Sequence, residues 1–239
     1  MMESLLNDRA PDARTIRENI RGIRERMAEA AVKAGRDPGE IQLMAVTKTV
    51  PASRVNLALQ EGVRLLGENR VQECCEKYQN YACGANAIHF IGHLQTNKIR
   101  DIIDKVGMIE SVDSIRLSAA LQAECEKLEK SLDILLQVNI GAEETKSGFL
   151  PEALLPAAKE IRERFPSLKI RGLMTVPPRA EGDYWLQKTR ELFEKMKDSS
   201  PEGHEPAVLS MGMSEDFEAA IGCGSTQVRI GRGIFGERK

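Results

Sequence analysis

The chain has 239 residues, of which 41% are hydrophobic and 29% charged, and its formal net charge is −2 at pH 7. This length accommodates one large α/β domain or two small ones. A chain so close to neutral, without a long basic run, is not typical of proteins that bind nucleic acids or anionic membrane surfaces. No apolar run approaches the ~20 residues that span a bilayer, and the first residues lack the apolar stretch of a signal peptide. We therefore expect a globular protein of the cytoplasm.

In chain order, the hydrophobic pattern predicts a long helix followed by eight strands that alternate with further helices. The first helix covers residues 12–34, because Ile16, Ile20 and Ile23 recur at helical spacing. The strands are predicted at residues 41–47, 63–66, 88–91, 108–112, 133–140, 169–176, 206–210 and 227–230. The helices between them are predicted at residues 51–59, 70–81, 94–105, 115–128, 151–164, 183–197 and 215–221, with N-caps at Asn69, at Asp113 or Ser114, and at Ser214.

Eight strands that alternate with helices over roughly 200 residues are typical of a (β/α)8 TIM barrel. The alternative is an open doubly wound sheet, which has the same local pattern. No linker, repeat or low-complexity segment divides the chain. We predict an α/β fold in which residues 1–239 form a single TIM-barrel domain with an extra N-terminal helix, and in which residues 1–12 are flexible.

The cysteines and histidines do not indicate a disulfide framework or a metal site. The five cysteines are odd in number, Cys74 and Cys75 are adjacent, and no Cys-x-x-Cys occurs, so we expect reduced thiols. His89 and His93 have the i,i+4 spacing of helical metal ligands. However, Gly92 lies between them and His89 belongs to a strand-like segment, Ile-His-Phe-Ile. We therefore expect no metal.

The first predicted strand ends on a single lysine, Lys48. With a period of two, Met44, Val46 and Lys48 share one face, and both faces are largely apolar. An ammonium group there is costly unless it is paired, hydrated or deprotonated, and a deprotonated amine can form a Schiff base with an aldehyde. The simpler interpretation is that Lys48 extends from the strand end into water. From this strand alone, the simpler interpretation is favoured.

Two glycine-containing segments follow the last two predicted strands. Gly231–Gly236 matches G-x-G-x-x-G, but a dinucleotide site also requires a helix and then an acidic residue about 20 positions later, and the sequence stops at Lys239. In TIM barrels these two loops often bind phosphate. The segment Ser210–Ser214 offers two hydroxyls, a glycine and the start of a helix, although Glu215 and Asp216 would repel a phosphate if they pointed inward. A phosphate site and a plain helix cap both remain open.

Seven short blocks of sequence carry these features in a fixed order. They are Ala45-Val-Thr-Lys48, Gly67-Glu-Asn69, His89-Phe-Ile-Gly-His-Leu-Gln-Thr-Asn-Lys98, Lys146-Ser-Gly148, Gly172-Leu-Met174, Leu209-Ser-Met-Gly-Met-Ser214, and Val228-Arg-Ile-Gly231 with Ile234-Phe-Gly236. From about residue 14 to residue 236, the chain closely resembles the pyridoxal phosphate homeostasis family. The resemblance implies a fold-type III protein that binds pyridoxal 5'-phosphate (PLP), with the barrel of alanine racemase but without its β-rich second domain.

The resemblance also implies roles for particular residues. Lys48 would hold PLP as an internal aldimine, Arg229 would meet the pyridine nitrogen, and Asn69 would lie beside the ring. Four residues would surround the phosphate: Ser210, Gly212, Ser214 and Gly231. Relatives often carry a small hydroxyl residue where this chain has Arg232, which adds a charge-assisted phosphate contact if it turns inward and loses a hydroxyl ligand if it turns outward. Lys98 and Lys146 could hold a second PLP, but solvated loop lysines are the simpler interpretation.

The implied function is PLP homeostasis, as a carrier or buffer that does not turn over a substrate. An arginine does not readily give up a proton. Arg229 would therefore leave the pyridine nitrogen of PLP unprotonated, and the ring would be a weak electron sink. The tyrosines of this chain (Tyr78, Tyr81 and Tyr184) fall in predicted helices, away from the strand ends. PLP-dependent apoenzymes are the implied partners, and we expect a monomer. An amino-acid racemase and a barrel that no longer binds PLP are the alternatives.

Overall fold

The structure is a computed structural model that describes residues 9–178, 180–204 and 206–236, with side chains from residue 12 onward. Within these ranges, eight parallel strands form a closed barrel in the order of the sequence, and the eighth strand pairs with the first. They are β1 (Gln42–Val46), β2 (Leu65–Glu68), β3 (Ile88–Phe90), β4 (Met108–Val112), β5 (Leu132–Val138), β6 (Leu168–Thr175), β7 (Val208–Ser210) and β8 (Gln227–Ile230). The predicted TIM barrel is confirmed. The open doubly wound sheet is wrong, because an open sheet has no bond between its edge strands.

Nine α-helices lie within the described ranges, one before the barrel and one after each strand. They are α1 (Arg9–Lys33), α2 (Ala52–Gln60), α3 (Val71–Tyr78), α4 (Ile99–Ile102), α5 (Ile115–Lys127), α6 (Pro151–Arg164), α7 (Gly182–Asp198), α8 (Phe217–Gly222) and α9 (Arg232–Phe235). Residues 1–12 were predicted to be flexible. Residues 1–8 lie outside the described residues, and the chain is helical from Arg9. None of the helices in the described ranges is long and apolar enough to cross a membrane.

Local chemistry accounts for several of these boundaries. Helix α5 begins after Ser114, whose hydroxyl accepts a hydrogen bond from the amide of Leu117 at 3.2 Å, as expected of an N-cap serine. Helix α6 begins at Pro151, because proline has the backbone angle of a first helical residue and no amide that needs a partner. Both starts agree with the sequence prediction.

Helix α1 covers the side of the barrel where the first and last strands meet. Its apolar face, with Ile16 and Ile20, is buried, and the helix packs against α8 and α9. The Asn19 side chain donates to the carbonyl oxygen of Ile234 at 2.9 Å. Helix α1 thus supports the two short helices that follow β7 and β8.

Two of the predicted N-caps are wrong. Helix α3 has Arg70 rather than Asn69 at its N-cap position, and α8 has Asp216 rather than Ser214. Asn69 cannot cap the helix, because its side-chain oxygen is buried and has no hydrogen-bond partner among the described residues. The presence of a residue type that favours N-caps near the start of a helix therefore does not show which residue is the N-cap.

Two predicted elements differ from the structure in position or length. The strand predicted at residues 63–66 lies two residues later, because Gly67 and Glu68 pair with β3. The helix predicted at residues 94–105 is a 3-10 turn at Thr96–Lys98 followed by the single turn α4. Threonine and asparagine compete with helix formation through their side chains, which the hydrophobic pattern alone does not register.

Candidate functional site

A cavity of about 730 Å³ opens where the barrel strands have their carboxyl ends. Its wall is built by the segments that follow β1, β6 and β7 and by the end of β8 and the turn after it. Loops converge at this end of a parallel barrel, which is why binding sites form there. The volume lies within the range of small-molecule sites, roughly 300–1,000 Å³. Five of the site residues predicted from the sequence line this cavity: Lys48, Ser214, Arg229, Gly231 and Arg232.

Lys48 lies in a tight turn directly after β1. The amide of Val50 donates to the carbonyl oxygen of Thr47 at 3.0 Å, so Lys48 and Thr49 are the central residues of a β-turn. Thr49 has a φ of 64°, a left-handed conformation that is rare for a β-branched residue. We call residues 47–50 the Lys48 turn. It places Lys48, partly exposed, in the cavity wall.

The loops after β7 and β8 adjoin each other beside this turn. A Cβ atom added at Gly231 would lie 3.4 Å from the Cβ and carbonyl oxygen of Val46, so glycine lets the chain after β8 run close to β1. A Cβ atom at Gly233 would lie 3.8 Å from the hydroxyl oxygen of Ser214. The glycine-rich turn and the serine are therefore neighbours, as a phosphate site would require.

Ser210 and Gly212, also predicted at the phosphate, are not part of the cavity wall. The Ser210 hydroxyl is fully buried and donates to Oε2 of Glu110 at 2.7 Å. Gly212 has a φ of +93°, and a Cβ atom there would lie 2.6 Å from the Cβ of Ala220 in α8. Both residues have structural surroundings that account for them: Ser210 belongs to an internal hydrogen-bond network, and Gly212 permits the turn into α8.

Arg232 is at the rim of the cavity, paired with an acid of the neighbouring loop. Its guanidinium lies 2.6 Å from Oε1 of Glu215, and the two side chains are 52% and 65% exposed. Asp216, the second acid of that loop, accepts a hydrogen bond from the amide of Met213 at 2.6 Å. Both acids are therefore engaged at the rim, and Glu215 would compete with a phosphate for the Arg232 guanidinium.

Arg229 is a buried guanidinium with fixed hydrogen bonds. Its side chain, on β8, is only 4% exposed. It donates to the carbonyl oxygen of Ser210 at 2.6 Å, to the Ser210 hydroxyl at 2.7 Å, and to the carbonyl oxygen of Thr175 at 2.7 Å. Burial lowers the pKa of Arg229, and the carboxylate of Glu110 opposes that shift. The bonds orient the guanidinium at the inner end of the cavity.

A polar network inside the barrel supports Arg229. Glu110 on β4 is fully buried, and its carboxylate lies 2.7 Å from Nδ1 of His89 and 2.7 Å from the amide nitrogen of Gln227. Burial alone would raise the pKa of Glu110, but the bonds from His89 and Ser210 and the charge of Arg229 together hold it below its usual value of 4.5. A single carboxylate thus connects four strands.

This network was not predicted, although the sequence contains a signal for it. His89, Glu110 and Gln227 are polar residues within strands that are otherwise mostly apolar. Polar residues that are buried in a barrel must bond to one another. This rule predicts that the three residues form one cluster inside the barrel.

Asn69 is close to the site but is not part of the cavity wall. Its backbone carbonyl packs against Gly92, where a Cβ atom would lie only 2.0 Å from that oxygen. Its side-chain oxygen is buried without a partner among the described residues. Such an atom is costly to leave unpaired, so this amide is suited to a polar group supplied from outside the chain.

The remaining candidate lysines and histidines each have an acidic partner. Lys98 is half exposed and lies 3.5 Å from Asp101. Lys146 pairs with Glu143 and donates to the carbonyl oxygen of Val176 at 3.3 Å. His93 lies 3.2 Å from Asp113, whereas His89 belongs to the interior network. The two histidines thus have separate acidic partners.

Comparisons with known proteins agree with this arrangement. The family profile described as "Alanine racemase, N-terminal domain" matches residues 12–239. The chain is 42% identical to the pyridoxal phosphate homeostasis protein of Pseudomonas aeruginosa, over 94% of this chain and 96% of that protein. It is 39% identical to the protein of the same name from Haemophilus influenzae, over 93% and 96%.

One solved structure that contains PLP is similar over most of this chain. It is that of PipY from Synechococcus elongatus with PLP bound, with a TM-score of 0.76 and 29% identity over 92% of this chain and all of that chain. Alanine racemase of Clostridium difficile matches 94% of this chain with a TM-score of 0.69, but this chain covers only 57% of the racemase and is 18% identical to it. The likeness to the racemase therefore shows the fold alone.

Proposed function

The chain belongs to the pyridoxal phosphate homeostasis protein family, and from that premise we propose that it binds PLP at Lys48 and carries or buffers this cofactor in the cytoplasm. The observation that carries the proposal is the meeting of Lys48, Arg229 and Gly231 in the wall of one cavity. A lysine amine, a buried guanidinium and a glycine turn are the groups that suit an aldehyde, a pyridine ring and a phosphate.

The residues of this chain fit the cofactor. When bound, PLP supplies an aldehyde that condenses reversibly with a lysine amine and releases one water. Lys48 would provide the amine, Arg229 would donate toward the ring nitrogen, and Ser214 and Gly231 would hold the phosphate. The unpartnered side-chain oxygen of Asn69 belongs to an amide that can turn its donor or its acceptor toward the ring.

We further propose that the chain turns over no substrate of its own. An arginine keeps its protons, so a ring nitrogen beside Arg229 would stay unprotonated, and the bound ring would be a weak electron sink. The guanidinium is also held by three hydrogen bonds, which keeps it from moving aside for a proton donor. The names of the relatives, which describe homeostasis rather than a reaction, support this proposal.

The racemase alternative requires a group that moves a proton on the far face of a bound amino acid. Tyr81 is a poor candidate, because its hydroxyl donates to Glu68 and because burial and the Glu68 charge raise its pKa. Tyr184 is half exposed and borders a different groove, between α6 and α7. These positions favour a carrier over a racemase.

A monomer that supplies PLP to PLP-dependent apoenzymes is the simplest form of this function. One chain provides Lys48, Arg229 and the turns that we assign to the phosphate, which supports a monomer. All five cysteines are free thiols, as is usual in the reducing cytoplasm. Light scattering of the purified protein tests the monomer, and reactivation of an apoenzyme by the loaded protein tests the transfer.

The decisive experiment is the replacement of Lys48. The wild-type protein with PLP should absorb in the visible range, and borohydride should fix the cofactor on the peptide that contains Lys48. Lys48→Ala should give a folded, colourless protein, because a residue in a surface turn contributes little to the core. Lys98→Ala, a half-exposed lysine on another loop, is the matched control and should stay coloured.

Two results would contradict the proposal. One is a Lys48→Ala protein that still becomes covalently labelled with PLP after reduction. The other is formation of D-amino acids from L-amino acids by the wild-type protein, at a rate that Lys48→Ala abolishes. The second result would favour the racemase.

A further inference from the structure

Helix α3 directs two charged side chains at the backbone of the Lys48 turn. The ammonium of Lys77 donates to the carbonyl oxygen of Thr47 at 2.9 Å and to that of Val50 at 3.4 Å. The carboxylate of Glu73 accepts a hydrogen bond from the amide of Thr49. Backbone groups on both sides of the central lysine are therefore bound by residues one helical turn apart.

Glu68, the last residue of β2, bonds both to Lys77 and to Thr47 of the Lys48 turn. Glu68 is fully buried, and its carboxylate lies 2.8 Å from the Lys77 ammonium. It also accepts hydrogen bonds from the hydroxyls of Thr47, at 2.7 Å, and Tyr81. Lys77 and Glu73 are themselves paired at 2.9 Å. One buried and two partly buried charges that bond to one another in this way hold a defined geometry.

The turn needs such support because of Thr49. A left-handed backbone is unfavourable for L-residues other than glycine and is rarest for β-branched ones. A strained conformation persists only where its surroundings determine it, and such positions cluster at functional sites. If the support were lost, Thr49 would relax, the peptide planes on either side of it would rotate, and the lysine before it would change direction.

We infer that Glu73 and Lys77 are positioning residues that keep Thr49 in its left-handed conformation and thereby aim Lys48 into the cavity. Neither residue lines the cavity, so both act through the backbone of the Lys48 turn. The inference rests on the proposed function in one respect only, namely that Lys48 is the residue that binds PLP.

The first test uses the protein without cofactor and compares two glutamates of α3. Glu73→Ala removes the acceptor of the Thr49 amide, whereas Glu76→Ala removes an exposed carboxylate that bonds to Gln72 on the same helix. Amide hydrogen exchange, read by NMR, should be about tenfold faster at Thr49 in Glu73→Ala and unchanged in Glu76→Ala. Equal protection of Thr49 in both variants would overturn the inference.

The second test uses PLP and a compensating glycine. Glu73→Ala should release PLP about five- to tenfold faster than the wild type, as expected when one strained residue loses its support, and Glu76→Ala should match the wild type. Thr49→Gly in the Glu73→Ala background should restore most of the slow release, because glycine adopts the left-handed conformation without strain. Failure of the glycine to restore it would refute the role assigned to Thr49.

Lys77 is tested with a conservative and a non-conservative substitution, because its loss also removes the positive charge that pairs with Glu68. Lys77→Arg should retain protection of the Thr49 amide and slow PLP release, and Lys77→Met should lose both. If Lys77→Met does not fold, the Glu73 and Thr49 variants still decide the inference. If the wild type does not bind PLP, the proposed function fails, whereas the exchange experiment on the unloaded protein still tests the support of the turn.

Discussion

At the scale of residues, two serines four positions apart, one at the end of β7 and one in the loop that follows, have different surroundings. The hydroxyl of Ser210 accepts from Arg229 at 2.7 Å and donates to Glu110 at 2.7 Å, and the residue is fully buried. Ser214 is partly exposed in the cavity wall. One hydroxyl therefore links two buried charges, and the other faces the space that we assign to the phosphate.

Replacing each serine by alanine should separate stability from binding. Ser210→Ala should destabilise the protein by about 1–3 kcal/mol, the cost of leaving buried polar groups without a partner. Ser214→Ala should change the unfolding free energy by less than about 0.5 kcal/mol but weaken PLP binding more than Ser210→Ala does. Urea unfolding and PLP titration measure the two effects, and the reverse pattern would show that Ser210 is the phosphate ligand.

At the scale of elements, the position of α8 depends on the turn that precedes it. Gly212 is left-handed, and a Cβ atom there would lie 2.6 Å from the Cβ of Ala220 and 3.1 Å from the Cα of Phe217. Its carbonyl oxygen also accepts the Arg229 amide at 3.0 Å. The turn therefore packs tightly against α8 and is hydrogen-bonded to β8 at the same point.

Alanine substitution of Gly212, in the turn before α8, and of Gly222, at the end of α8, should have different effects on stability. Gly212→Ala should cost about 2–4 kcal/mol, from the left-handed backbone and the contact with α8, and should weaken PLP binding by displacing Ser214. Gly222→Ala is the control, because a Cβ atom there would meet nothing within 4 Å, and it should be neutral or stabilising by up to ~1 kcal/mol. Thermal unfolding distinguishes the two, and similar melting temperatures would contradict the packing argument.

Elements with strong local signals were predicted well. The bounds of α6 and β8 agree with the prediction, because α6 has a proline at its first helical position and β8 is a short segment that is followed directly by Gly231. The single turn α4 and the N-cap of α3 were predicted wrongly. Their positions depend on what packs against them: Asn69, for example, turns its side chain into a buried position instead of capping α3.

At the scale of the whole molecule, barrel closure joins residues that are remote in the sequence. Glu110 bonds to Ser210, 100 positions later, and to Gln227, 117 positions later. Sequence periodicity identifies neighbours along one strand, which is how Lys48 and the strands were predicted. It contains no information about which polar residues of different strands meet, so the network beneath Arg229 and the support of the Lys48 turn could be found only from the structure.

The closed barrel also predicts how stability depends on pH. The pKa of Glu110 is below 4.5 in the folded protein, since the bonds from His89 and Ser210 and the charge of Arg229 outweigh burial. A carboxyl whose pKa is depressed by folding stabilises the folded state above its unfolded pKa, and this stabilisation is lost as the pH falls through the folded pKa.

Glu110→Gln should be less stable than the wild type at pH 7, because Arg229 loses its buried counter-charge. The difference in unfolding free energy should shrink as the pH is lowered below 4.5, where the wild-type carboxyl gains a proton and the glutamine does not change. Urea unfolding of both proteins at pH 7 and near pH 3.5 measures this, and a difference that stays constant or grows on acidification would mean that the Glu110 charge does not stabilise the barrel.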